Sequence, residues 1–453
     1  VGCGKSILIA EAARLMGDKT LVLQPSRELL IQNYCKLTSY GIPATIYSAS
    51  CGKKELSNMI YATLGSIKKV VGQLKEMGIR NVLIDEAHAG YSPEDGSEFM
   101  TFMNELKPRK VMGFPATPCR LKNMSIGQTS YSQLNFITRM RPVYFKNLIH
   151  VIQVEEMIRQ EFWTPLKYET WDFNGDALKL NSNGSEYTAE SISEAVRKNG
   201  LNNLILRRLM VLKDICRSIL VFMDSVESCN TAAEWMNAKI CAGIAEVVHG
   251  GTPKKQREAI VERFKSGKTK VVFNYSALGT GFDHPGLDCV IVGRPTFSFS
   301  SFYQWLGRAV RIKDGKDSAL VVDCCNNSSR FGDIRELSIE NYKGYGWGMF
   351  IGDKLITNIP MGDKVTKTDL DIKAAKKDRR RGLAQGVTAA PVPGRPDHPL
   401  GSTVMTFGKY SGWMLHSIPV SYFKFINETF DWDNDRNKEI KEYIDFLIKN
   451  NRL

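Results

Sequence analysis

The sequence predicts an α/β protein: two tandem parallel-sheet domains followed by a small, α-rich C-terminal module. Three observations carry that expectation. Short apolar runs of strand length alternate with helix-like stretches in two separate series. At 453 residues the chain is longer than one hydrophobic core usually organises. A basic, Pro-rich interval then separates the second series from a last stretch rich in aromatic residues.

The first series runs through Leu21-Val22-Leu23, Val82-Leu83-Ile84 and Lys110-Val111-Met112-Gly113, and places a first domain at residues 1–145. Residues 146–205 are more polar and irregular, with Trp163, Tyr168 and Trp171 interspersed, and read as an insertion and linker. The second series comprises Ile219–Phe222, Val247-Val248, Val271-Val272-Phe273, Val290-Ile291-Val292 and Ala319–Val322, giving a second domain at 206–345. Residues 346–402 read as a solvated tether, basic from Lys364 to Arg381 and Pro-rich from Ala389 to Pro396. Residues 403–453 form the accessory module, whose aromatics include Phe407, Tyr410, Trp413, Tyr422, Phe423 and Phe425. A small aromatic core explains these residues, and stacking on nucleic-acid bases is the competing use.

Hydrophobic residues make up 43% and charged residues 24% of the chain, the balance of an ordinary globular protein. No apolar run approaches the roughly 18 residues a membrane helix needs, so no membrane partner is expected. A formal net charge of +13 attracts phosphate backbones, although solubility alone can explain such a surplus. The ten cysteines contain no CxxC pair, and several sit in apolar runs. That pattern fits buried free thiols in a reducing cytoplasm and leaves no structural zinc site expected. The chain opens in mid-motif with no initiating Met, which reads as a fragment or an edited chain.

Gly2-Cys3-Gly4-Lys5-Ser6, followed by Ile7-Leu8-Ile9-Ala10, has the form of a phosphate-binding loop running into a helix. Glycines let backbone N–H groups close on phosphate oxygens, Lys5 reaches the β- and γ-phosphates of ATP, and Ser6 ligates Mg²⁺. Taken alone, a glycine-rich turn before an ordinary helix would look the same. Val82-Leu83-Ile84-Asp85-Glu86-Ala87-His88 ends an apolar strand in two carboxylates and a histidine. Asp85 is placed to hold the Mg²⁺ shell and Glu86 to orient and deprotonate the attacking water, while His88 is a coupling candidate that could equally be structural. Gly113-Phe114-Pro115-Ala116-Thr117-Pro118 closes another strand and offers the Thr117 hydroxyl as a bridge between the nucleotide site and whatever moves. Ser300–Arg311 reads as a helix on which Gln304, Arg308 and Arg311 fall at i, i+4 and i+7, sharing a face suited to a γ-phosphate. For the two arginines alone, a solvated basic face is the competing reading.

The order of these motifs across two α/β halves resembles the superfamily 2 helicases of the DEAH-box type, over about three quarters of the chain. The intermediate segments resemble that family as well. Leu23–Leu29, with Arg27, and Ala62–Ser66, with Thr63, are similar to its nucleic-acid-contacting segments. His249-Gly250-Gly251 is similar to the second domain's strand-contacting segment, and Ser276–Pro285 to the loop that couples ATP to the bound strand. The resemblance implies two RecA-like domains closing on ATP and Mg²⁺, with Gly2, Gly4, Lys5, Ser6, Asp85, Gly281 and Asp283 at the nucleotide. It implies Glu86, Gln304, Arg308 and Arg311 in catalysis, His88 and Thr117 in coupling, and Arg27, Thr63, His249 and Thr280 on nucleic acid. Ala116-Thr117-Pro118 and Gly281-Phe282-Asp283-His284-Pro285 are similar to DNA-directed branches, pointing to a DNA helicase or translocase of a bacterial or phage-infected cell. An RNA helicase and a nucleic-acid-binding scaffold without motor activity are the alternatives. The C-terminal stretch resembles a small domain of uncharacterised function found in some phage and bacterial proteins.

Overall fold

The first sheet is built from six strands: β1 (Thr20–Leu23), β2 (Thr45–Ser48), β3 (Lys53–Lys54), β4 (Met59–Ala62), β5 (Asn81–Asp85) and β6 (Lys110–Phe114). Their order is β3-β2-β4-β1-β5-β6, parallel except for the short β3 on the edge. The structure is a computed structural model. It describes all residues except 1, 18, 89, 92, 95, 127–128, 183, 279–281, 362, 375–397, 407–409, 412, 430–431, 433–436 and 451–453. The Pro-rich segment and the end of the basic run therefore lie outside the described residues.

A parallel sheet carries helices on both faces, so its strands must be apolar on both. In the first sheet Leu21, Leu23, Ile60, Ala62, Val82 and Ile84 enter one core, and Val22, Tyr61 and Leu83 enter the other. This is the period of two that strand pleating imposes. Hydroxyl caps set two of the helix starts near the site: Ser26 accepts from Leu29 N at 3.3 Å to start the helix Arg27–Thr38, and Ser298 accepts from Ser301 N at 3.2 Å to start Phe299–Leu306.

Beyond β6 the chain makes a long antiparallel hairpin, β7 (Cys119–Ile126) and β8 (Thr129–Phe136). Its Cys119, Leu134 and Phe136 pack into the core of the second sheet rather than the first. The second sheet contains β9 (Leu166–Thr170), β10 (Ile219–Phe222), β11 (Ala245–His249), β12 (Val271–Tyr275), β13 (Cys289–Val292) and β14 (Ala319–Asp323). Its order is β11-β12-β10-β13-β14-β9, all parallel. The architecture is thus two RecA-like parallel sheets, each wrapped by helices.

Two segments differ from the sequence expectation. The stretch 146–205, read as insertion and linker, supplies edge strand β9 and the helix Ala189–Lys198, whose Ile192 and Val196 are core residues of the second half. Residues at the start of the expected tether, 346–402, instead continue an antiparallel ladder of β15 (Leu337–Tyr342), β16 (Gly346–Ile351) and β17 (Lys354–Leu355). The ladder's Met349 and Ile351 are buried in the second core, and Asn358 ties the following loop to β8 by bonds to Leu134 O at 2.7 Å and from Phe136 N at 3.1 Å. The short strands leave little period, whereas the helix Ala189–Lys198 is clearly amphipathic, burying Ser191, Ile192, Ala195 and Val196 on one face, a signal that the polar composition of the stretch obscured.

By contact, the chain divides into two units: Val1–Tyr342 with Gly346–Val365, and Lys343–Tyr345 with Thr366–Leu453. The second unit has its own core, in which Met405, Leu415, Ile418, Phe423 and Ile426 meet Ile440, Tyr443, Ile444 and Leu447. Two helices, Val420–Thr429 and Lys438–Lys449, supply most of it. Tyr422 packs against this core, whereas Phe425 is 58% exposed. Among the described residues, no helix is long and apolar enough to cross a membrane.

Candidate nucleotide site

Parallel strands point their C-terminal ends toward one edge, where loops are free to vary and to bind. Asp85 ends β5, Thr117 follows β6, Arg27 and Thr63 follow β1 and β4, His249 ends β11, and Asp283 follows β12. The residues picked from sequence therefore gather on the two strand-end edges.

Gly4, at φ 72°, turns the chain into the helix Lys5–Met16, a left-handed conformation that a side chain disfavours. That turn brings the Lys5 ammonium within 3.1 Å of Asp85 Oδ1 and into a hydrogen bond with the Glu86 carboxylate. Asp85 is 1% exposed, and its Oδ1 also accepts from the Glu86 backbone N–H at 2.9 Å. Glu86 itself sits at φ 47°, a costly conformation for a non-glycine residue, and its amide also reaches Phe114 O at 3.1 Å. Gly113 makes room nearby: a Cβ there would come within 2.7 Å of Ala87 Cβ.

Burial opposes every charge in this cluster, and mutual attraction decides the outcome. Desolvation would lower the Lys5 pKa, but Glu86 and Asp85 outweigh it and hold the ammonium above its ordinary range. Burial pushes Glu86 up, yet Lys5 and His88 bring its carboxyl below the ordinary carboxylate range. Asp85 goes the other way, because burial there exceeds the pull of Lys5. His88, 6% exposed and 3.4 Å from Glu86 Oε2, is pushed down to about 4 by burial, with Lys5 and Arg120 adding to the shift. It is therefore a neutral imidazole at pH 7.

The second half brings guanidinium groups to the same place. Arg308 is 8% exposed and donates to Phe282 O at 2.5 Å. Burial first, and then Arg311, lower its pKa to about 10, while the nearby Glu86 and Asp283 oppose the fall, so it stays charged. Arg311 Nε lies 3.5 Å from Asp283 Oδ1. The two halves also touch directly, because Thr117 Oγ1 and Ser300 Oγ are 2.9 Å apart.

One geometric expectation needs correcting. The helix carrying Gln304 ends at Leu306, so Arg308 and Arg311 do not share its face at i+4 and i+7. Gly307 ends the helix, and tight bonds from Arg308 N to Trp305 O at 3.1 Å and from Ala309 N to Leu306 O at 2.9 Å turn the chain. Lys316 Nζ then holds the carbonyls of Ala309 and Arg311 at 2.6 and 2.7 Å, and Thr164 Oγ1 holds Arg311 O at 2.8 Å. Sequence reading missed Thr164 and Lys316, since a lysine bonding to carbonyls leaves no motif. It also missed Arg120, whose guanidinium donates to Ala87 O at 3.3 Å and to Tyr91 O, pinning the loop around His88.

The remaining candidates are more loosely placed. Thr63 Oγ1 is 3.2 Å from both Ser48 Oγ and Ser66 Oγ. His249 Nδ1 accepts from Gly251 N at 3.1 Å, and Arg27 opens its helix half-exposed. Gln304 and Ser6 are half-buried. Gly2 packs where a Cβ would lie 3.1 Å from Trp163 Nε1. Thr280 and Gly281 lie outside the described residues. Among the described residues, no group of three or more His, Cys, Asp or Glu side chains converges as a metal cage.

Residues 1–124 match the DEAD/DEAH box helicase family, and residues 201–313 match the helicase conserved C-terminal domain. A Saccharomyces cerevisiae protein named as a candidate ATP-dependent helicase, IRC3, is 24% identical over 319 residues, 69% of this chain and 44% of its own length. A 51.5 kDa protein of a Lactococcus phage is 25% identical over 326 residues, 71% of this chain and 63% of its own length. The chain thus spans under two thirds of either relative. Among solved structures, the ATP-dependent Type ISP restriction-modification enzyme LlaBIII bound to DNA aligns with a TM-score of 0.52 at 15% identity, over 84% of this chain and 28% of that one. At that identity the likeness speaks to fold.

Proposed function

The chain belongs to the DEAD/DEAH box helicases of superfamily 2, ATP-hydrolysing enzymes, and from that premise we propose that it is a DEAH-type, DNA-directed helicase or translocase. The observation that carries the motor part of this reading is the convergence on Glu86 of charged groups from both halves: Lys5 and Asp85 from the first, Arg308 from the second.

The site suits ATP with Mg²⁺. Gly2 and Gly4 both have positive φ, leaving the loop backbone open to phosphate oxygens at a helix N-terminus. Glu86 Oε2 is buried without a hydrogen bond, an acceptor aimed into the cluster. Ser6 and Asp85 would hold the metal. Bound Mg²⁺ neutralises charge on the phosphate oxygens during transfer. Lys5 binds the β- and γ-phosphates, and Glu86, kept ionised, orients a water and accepts its proton. Arg308 and Arg311 stabilise the γ-phosphate from the second half, and Gln304, on the helix that precedes them, is the third group of that half assigned to catalysis. Thr117, His88 and Asp283 link this chemistry to Arg27, Thr63, His249 and Thr280, the nucleic-acid contacts. Closure would thus depend on ATP, and each turnover would shift the strand by differential binding of two states.

The Ala116-Thr117-Pro118 and Phe282-Asp283-His284-Pro285 segments support DNA over RNA, and the phage relative supports a cytoplasmic setting in a bacterial or phage-infected cell. Steady-state ATP hydrolysis measured alone, then with single-stranded DNA, duplex DNA or RNA, tests the proposal beside Glu86→Gln. Stimulation by DNA that the substitution abolishes is the expected result. Stimulation by RNA alone overturns the choice of substrate, and hydrolysis under no condition leaves a binding scaffold.

A further inference from the structure

The helix Arg27–Thr38 buries three residues, Leu30, Asn33 and Leu37, against the first sheet. Two are apolar, as a core-facing stripe requires. The middle one is an amide at 1% exposure, and burying an amide is costly unless its bonds are made. Asn33 Nδ2 donates to Asp85 Oδ2 at 2.9 Å and to Gln24 Oε1 at 3.0 Å. Its own Oδ1, and Gln24 Nε2, are buried with no hydrogen-bond partner. The network is therefore an expensive one, with two buried groups left orphaned, Asn33 Oδ1 and Gln24 Nε2.

Asp85 divides its two oxygens. Oδ1 takes Lys5 and the Glu86 amide on the phosphate side, and Oδ2 takes Asn33 on the side away from it. A side-chain donor on the far oxygen fixes the carboxylate's rotation without touching the nucleotide. We propose that Asn33 is the positioning residue that presents Asp85 to Mg²⁺–nucleotide, and that this is why an amide stands in an apolar stripe. The inference rests on the reading above that Asp85 faces the metal. Asn33 also sits on the helix that opens at Arg27, so the metal site is braced by the element carrying a proposed nucleic-acid contact.

The test is equilibrium binding of fluorescent ADP to the full chain, in Mg²⁺ and separately in EDTA, for the wild type, Asn33→Leu and Asn33→Ala. Removing an outer partner of a metal ligand commonly costs about 10- to 100-fold in metal affinity. The expected result is that affinity in Mg²⁺ falls about tenfold in both variants while affinity in EDTA stays within twofold. The leucine variant conserves volume and supplies the comparison if alanine unfolds the helix. Equal losses in Mg²⁺ and EDTA would mean a general structural role, and an unchanged Mg²⁺ advantage would mean Asp85 needs no such support; either overturns the proposal. A wild type that binds ADP no better in Mg²⁺ than in EDTA counts instead against the nucleotide-site reading itself.

Discussion

Thr117 Oγ1 and Ser300 Oγ meet at 2.9 Å, joining the end of the first sheet to the helix that precedes Arg308. Thr117 is fully buried and Ser300 half-buried. A hydroxyl pair of this kind contributes about 1 kcal/mol, roughly a fivefold effect if it forms only in the closed arrangement. Thr117→Val and Ser300→Ala should therefore each lower nucleic-acid-stimulated kcat severalfold with little change in KM, and the double variant should cost no more than either single one. Additive losses in that cycle would show that the two hydroxyls act separately.

Arg308 and Arg311, both proposed to face the γ-phosphate, should separate by stability. Arg311 is partly exposed, and its pairing with Asp283 at 3.5 Å is worth at most about 1 kcal/mol. Arg308→Ala leaves the buried Phe282 carbonyl without its donor, a loss of about 1–3 kcal/mol. Both alanine variants should reduce kcat by about 10³-fold or more, but only Arg308→Ala should shift the urea midpoint appreciably. A normal rate for Arg311→Ala would remove it from the catalytic set.

How much of this was legible beforehand follows from where the signal is stored. Strand runs such as Val82–Ile84 and Val271–Phe273 declare themselves because a two-faced parallel sheet demands continuous apolar residues. The Gly2–Ser6 turn and Asp85-Glu86-Ala87-His88 stand out in the sequence because the chemistry proposed for them needs adjacent residues. Asn33, Arg120, Thr164 and Lys316 were not, since each acts on a partner dozens to more than a hundred positions away or through backbone carbonyls, except Lys316, whose nearby targets carry no side-chain signature. The helical face through Arg311 failed for a local reason, the helix-ending Gly307.

Thiol reactivity offers a check on the cores. Cys119, Cys216, Cys229, Cys289, Cys324 and Cys325 are buried, Cys3 and Cys51 are intermediate, and Cys35 and Cys241 are exposed. Burial pushes the Cys119 and Cys229 thiols up to about 12, leaving little thiolate. A thiol-specific disulfide reagent should titrate Cys35 and Cys241 promptly in the native protein and all ten cysteines after denaturation. Prompt reaction of the buried six would contradict the packing of the second sheet, where most of them lie.

Acid sensitivity should come in part from His88. Burial, with Lys5 and Arg120, pushes it from its ordinary value of 6.5 to about 4, so the unfolded chain binds the proton more readily than the folded one. Above about pH 6.5 neither state is protonated there and no penalty arises; as pH falls toward 4 the unfolded state gains. The full difference is about 3 kcal/mol. His284, pushed to about 4 by burial and by Lys313, Lys265 and Lys316, acts in the same direction. Asp85, raised by burial against the pull of Lys5, acts oppositely. Comparing urea midpoints at pH 7 and pH 5 for the wild type and His88→Asn isolates the histidine. The wild type should lose more stability over that interval than the variant, and equal losses would show that His88 carries a proton in the folded protein as easily as in the unfolded chain.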